Sequence, residues 1–122
     1  MPFSFLGLQL MHERRLIPNC YTIISAMTGA IVTSWRLEAS NDLSKWVILD
    51  TRHGHLHSHE AFSAICRPGG ATTWGVSSTQ FHKGFSAFRI VQIDVNTART
   101  HVMSLAGIEL YGVPANPERW TF

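Results

Sequence analysis

The sequence predicts an antiparallel β-sandwich, on three observations. About seven short runs rich in β-branched and aromatic residues are separated by turn-forming residues. No segment sustains a helical period, and Ser34 to Arg52 spells out two strands and the turn between them. There Trp35, Leu37 and Ala39 alternate with Arg36, Glu38 and Ser40, the period of a half-buried strand. Ser40-Asn41-Asp42 supplies turn chemistry before Lys45-Trp46-Val47-Ile48-Leu49 resumes extended structure.

Taken in order, Phe3 to Leu10 and Leu16 to Ser25 are rich in Phe, Leu, Ile, Tyr and Thr, are bounded by turn-formers or charges, and read as strands. Pro18 has no N–H to donate, so it fits a strand start, an edge or a bulge rather than a central ladder site. Met27 to Ile31 is a short breaker, and Ile31 to Ser40 with Lys45 to Asp50 form the central pair. Thr51 to Gly70 is irregular, with room for a helical turn. Ala71 to Val76 reads as a short strand containing Trp74. Gly84 to Asp94 is the strongest late strand; its inner face is either Phe88 and Ile90 or Val91 and Ile93, and apolar residues on both faces suit a central strand covered on both sides. Asn96 to His101 is a polar loop, and Ser104 to Gly112 is the last strand, ended by Gly112 and Pro114.

The chain has 122 residues, enough for one domain with its own core, and we assign residues 1–113 to the sandwich and 114–122 to a tail. Trp120 and Phe122 in that tail are expected to dock on the body or on a neighbour, since free aromatics are costly. Hydrophobic residues make up 45% and charged residues 15%, which excludes a disordered chain. The net charge of +2, with Arg14-Arg15 the one adjacent basic pair, gives no electrostatic footprint for nucleic acid. The apolar start lacks a basic leader and a cleavage site, and no run approaches the roughly 20 apolar residues of a membrane span. Cys20 and Cys66 read as two partly buried thiols, and a reducing, cytoplasmic setting is expected.

The ordered set Pro18-x-x-Tyr21, Trp35-x-Leu37-Glu38-x-Ser40-Asn41-Asp42, Trp46, Leu49, Phe88-Arg89-Ile90 and Leu105-x-Gly107-x-Glu109-Leu110-Tyr111-Gly112 resembles the discoidin, or coagulation-factor type C, domain. The resemblance runs from about Phe3 to Gly112 and is greatest to the intracellular branch found in BTB-domain proteins and HECT-type ubiquitin ligases. It implies a jelly-roll sandwich of the galactose-binding type, used for binding rather than catalysis. Within it Trp35 and Trp46 are expected to fill the space between sheets, Asn41-Asp42 to tighten a turn, Gly107 to permit close backbone approach, and Tyr111 to bury its ring. Family members carry further N-terminal strands ahead of the one at Phe3 to Leu10. Their absence leads us to expect either a piece of a longer polypeptide or an open sheet edge closed by a partner or by a second copy. Secreted members join their ends by a disulfide, whereas Cys20 and Cys66 sit at neither end, which counts against an extracellular role.

The sharpest chemical candidate is His53-Gly-His55-Leu-His57-Ser-His59, in which every second residue is His. If extended, it sets four imidazoles on one face about 6.8 Å apart, close enough for a pair to chelate zinc or another transition metal; the alternative is a solvated loop. No nucleophile elbow, phosphate loop or spaced carboxylate pair is present, so no catalysis and no other cofactor is expected. Glu38, Asp42, Asp50 and Asp94 read as turn or strand-edge polarity. Loop residues supply the ligand candidates: Trp74 or Phe81 to stack on a sugar ring or anchor a peptide, Arg99 and His101 to grip a carboxylate or sugar hydroxyls, and His82 beside Phe81 in the same loop. The expected function is a non-enzymatic recognition module for a protein or peptide, ahead of carbohydrate binding and of metal binding by the histidine run.

Overall fold

The computed structural model describes residues 5–25, 32–54, 67, 69–76, 83–94 and 105–116. Seven strands follow one another: β1 (Phe5–Gln9), β2 (Leu16–Ser25), β3 (Trp35–Ser40), β4 (Val47–Arg52), β5 (Ala71–Gly75), β6 (Ala87–Gln92) and β7 (Leu105–Pro114). They form two antiparallel sheets, one in the order β1-β6-β3-β4 and the other β5-β2-β7. The fold is an all-β sandwich.

Alternation explains the two layers. Trp35, Leu37 and Ala39 of β3 and Phe88 and Ile90 of β6 point inward with Leu49; Tyr21 and Ile23 of β2 meet them from the opposite sheet, and Leu16, Val32, Val76 and Phe85 close the ends. Phe88 and Ile90 are therefore the inner pair of β6, which lies between β1 and β3. In β4 a bulge opposite Leu37 and Glu38 breaks the alternation, so that consecutive residues Leu49 and Asp50 are both buried. Pro18 sits at a second bulge, where β2 shifts register against β7 between Pro18 and Cys20, as its missing N–H requires.

Four expectations about aromatic and glycine positions and the end of the last strand need correction. Trp46 does not lie between the sheets: pairing of Ala39 with Val47 turns residue 47 inward and residue 46 outward. Tyr111 keeps its ring on the outer face, 44% exposed, and the tyrosine of the core is Tyr21. The close backbone approach occurs at Gly112, where an added Cβ would stand 2.0 Å from the Ile17 carbonyl oxygen, whereas at Gly107 it would meet only an ordinary contact at 3.5 Å. For the same reason β7 does not stop at Gly112: the glycine lets the two strands run on together until Pro114 pairs with Leu16.

Candidate functional site

The two long sides of the sandwich are closed differently. Along β4 and β5 the closure is polar. Tyr21 donates its hydroxyl to Asp50 Oδ2 at 2.5 Å and accepts from Trp35 Nε1 at 2.9 Å. Arg52 donates from Nε to the same Asp50 oxygen at 2.9 Å and from Nη2 to the Gly75 carbonyl at 2.8 Å, so one side chain bridges the sheets. Its guanidinium lies 5.0 Å from the centre of the Trp74 ring, which meets Trp35 edge-on at 5.3 Å. Burial opposes the charge on Arg52, but hydrogen bonding and attraction to Asp50 outweigh it and raise the guanidinium pKa. Burial, reinforced by the bond to Asp50, also pushes the Tyr21 hydroxyl well above the ordinary tyrosine value. Glu38 and Asp50 are thus buried ion-pair members, 5% and 1% exposed, and not edge polarity.

Along β1 and β7 the closure is apolar and incomplete. Leu8 and Leu10 on one sheet and Leu105, Ile108 and Leu110 on the other pack against the core yet stay half-buried. Between them opens a cleft of about 580 Å³, lined by Leu8, Leu10, Leu16, Leu110 and Tyr111. A second, polar hollow of about 800 Å³ adjoins it around Met11, His12, Glu13, Arg15 and Asn116. The third, about 270 Å³, lies on the outer face around Phe5, Gly7, Leu43, Trp46 and Arg89. All three border β1 or its continuation at Leu10, which makes the surroundings of β1 the candidate binding site.

Two turns hold these hollows in shape. His12 and Glu13 both take φ of 58°, the left-handed values of a type I′ turn, and Arg14 N–H returns to the Met11 carbonyl at 3.2 Å. Asn116 pins that turn by accepting from Arg15 N–H at 2.9 Å and donating to the Glu13 carbonyl at 2.8 Å. After β3, the Asp42 carboxylate accepts from Lys45 and Ser44 N–H at 2.8 and 2.9 Å, which lowers its pKa, while Asn41 reaches across to Gly84 and Ser86. Asp42 therefore tightens the β3–β4 connection as its chemistry suggests, whereas Asn41 ties that connection to the segment leading into β6.

Of the ligand candidates named from sequence, Trp74 is half-buried and committed to Arg52 and Trp35 on the polar side, away from the β1 hollows. Phe81, His82, Arg99 and His101 lie outside the described residues, as do His55, His57 and His59. His53 is described, exposed just after β4. Among the described residues no group of three or more His, Cys, Asp or Glu is placed to hold a metal ion. Cys20 is a free, half-buried thiol, and Cys66 is outside the described residues. Phe5, Leu8, Leu10, Leu43 and the His12-Glu13 turn were not legible as site residues: alternation marks β1 as a strand without showing that both its faces border hollows.

No protein-family profile matches the chain. Over 101 residues, 80% of its length, the chain is 31% identical to the E3 ubiquitin-protein ligase Ufd4 of Drosophila melanogaster. It spans about 3% of that relative's length, so the similarity is to one small segment of a much longer protein. No helix among the described residues is long and apolar enough to cross a membrane.

Proposed function

We propose that this chain is a non-enzymatic recognition domain that binds a protein or peptide as part of a longer intracellular polypeptide. The convergence of three hollows on β1 carries the reading, because concave surfaces with half-buried leucines and exposed aromatics suit a polypeptide partner. The discoidin-like residue order supports a binding role, and the similarity to a segment of a ubiquitin ligase supports the intracellular setting and a protein partner.

Affinity capture from cytosolic extract, quantified by mass spectrometry, tests this with the wild-type chain and a Phe5→Asp/Tyr111→Asp double variant whose folding is verified by circular dichroism. Both positions are exposed and flank different hollows. A defined set of proteins bound directly by the wild type and lost with the variant is expected. Capture confined to glycoproteins and released by free sugar, or capture equal for both chains, would overturn the reading.

A further inference from the structure

Among the described residues, the outer face of the four-stranded sheet carries one more positive charge than it has carboxylates to pair with it, beside an apolar notch. Register places Gly7, Arg89, Glu38 and Ile48 in one row across β1, β6, β3 and β4. Arg89 donates from Nε to Glu38 Oε1 at 2.7 Å, and its Nη2 lies 2.7 Å from the same oxygen; Arg36 Nε stands 3.2 Å from Oε2. Two guanidinium groups thus share one carboxylate. Among the described residues Glu38 is the one carboxylate within ion-pair reach of either arginine, so the cluster keeps one net positive charge. The Arg36 side chain, whose Nε is buried against Glu38, is 34% exposed.

Beside it, the Arg89 guanidinium is held over the Trp46 ring at 3.9 Å and faces the Phe5 ring at 5.3 Å. Gly7, having no side chain, leaves the floor of a notch whose walls are Phe5, Leu43 and Trp46. A Cβ at Gly7 would lie 3.2 Å from the Phe88 carbonyl oxygen, so the floor is tight against β6. Phe5 and Leu43 project from the rim, 60% and 54% exposed, and Ile48 continues the apolar surface. The volume of about 270 Å³ falls below the range of small-molecule pockets and suits one large apolar side chain. One excess charge is too little to hold a polyphosphate backbone, whereas it matches a single carboxylate.

We propose that this face docks a peptide segment bearing an Asp or Glu beside a bulky apolar residue, the carboxylate pairing with Arg36 and the apolar side chain entering the notch at Gly7. The proposal rests on the recognition role above and names the surface and the partner chemistry. Bidentate pairing to a planar guanidinium gives direction, and the aromatic walls of the notch receive the apolar side chain.

Selection of a phage-displayed random dodecapeptide library on the 122-residue chain tests it. Enriched peptides are expected to combine an acidic residue with a neighbouring Leu, Phe or Trp. The tightest of them, made synthetically, should lose about tenfold in affinity by calorimetry against Arg36→Glu and against Phe5→Ala. Changing its acidic residue to Lys should restore binding to Arg36→Glu. Arg36→Gln, which removes the charge without setting two carboxylates together, serves if Arg36→Glu does not fold, and the same loss is expected. Tight peptides indifferent to Arg36 and Phe5 but weakened by Tyr111→Asp would overturn this face while leaving the recognition role standing. Failure to enrich any peptide would overturn the docking proposal, and the role itself would fall only if cytosolic capture also failed.

Discussion

The Tyr21 hydroxyl, carried on β2, reaches across the sandwich to the Asp50 carboxylate on β4 at 2.5 Å, with Trp35 Nε1 donating to the same hydroxyl. Both tyrosine and aspartate are fully enclosed, so the bond forms where water does not compete. Asp50 remains tolerable there because Arg52 shares it, and Arg52 in turn holds the opposite sheet through Gly75.

Tyr21→Phe keeps the ring and deletes only the hydroxyl. Asp50 Oδ1 already has no partner among the described residues, so losing the tyrosine leaves the carboxylate dependent on Arg52. We expect a loss of about 1–3 kcal/mol in urea denaturation, with an unchanged slope on denaturant.

The same pair sets an alkaline limit. The folded Tyr21 pKa lies above the ordinary value of 10.0, so its contribution is complete below pH 10 and is lost as pH rises toward the folded value, because the unfolded chain releases the proton first. Between pH 10 and 11.5 this one group should remove up to about 1.4 kcal/mol of stability per pH unit. Tyr21→Phe should abolish that component, measured as the difference between the two stability profiles.

Among the described glycines, Gly112 meets the closest backbone contact. A Cβ 2.0 Å from the Ile17 carbonyl oxygen and 2.8 Å from Pro18 Cα cannot be relieved by a rotamer, since both neighbours are backbone. Gly112→Ala should cost about 3 kcal/mol or more and weaken amide protection along β2 and β7, read by hydrogen exchange.

His12 offers a change in the other direction. At φ 58° a side chain costs about 1–2 kcal/mol, of which the larger unfolded entropy of glycine returns roughly half. His12→Gly should raise the midpoint of urea unfolding by an amount worth up to about 1 kcal/mol. An unchanged or lowered midpoint would show that the turn is not strained.

Much of the sandwich was legible in the strands themselves. Turn-formers bracket each run closely enough that every predicted strand has its counterpart, and Pro18 announces its bulge by lacking an N–H. The candidate site was not legible in the same way. Arg36, Glu38 and Arg89 look like ordinary outward polarity along two strands, and it takes the β3–β6 register to bring Glu38 and Arg89 opposite each other. Glycine at position 7 reads as a weak point in a strand until the notch above it is seen.

The sequence by itself determined that this chain is built of short strands, where Ser34 to Arg52 turns, and which residues of a strand share a face, because side-chain alternation and turn chemistry are local properties. Only the tertiary structure decided which face is the core, that Trp46 lies outside and Tyr21 inside, and that one long side is clasped by Arg52 while the other opens beside β1. Those outcomes depend on strand order, bulges and sheet-to-sheet contact, which couple residues far apart in the chain and leave no periodic trace in it.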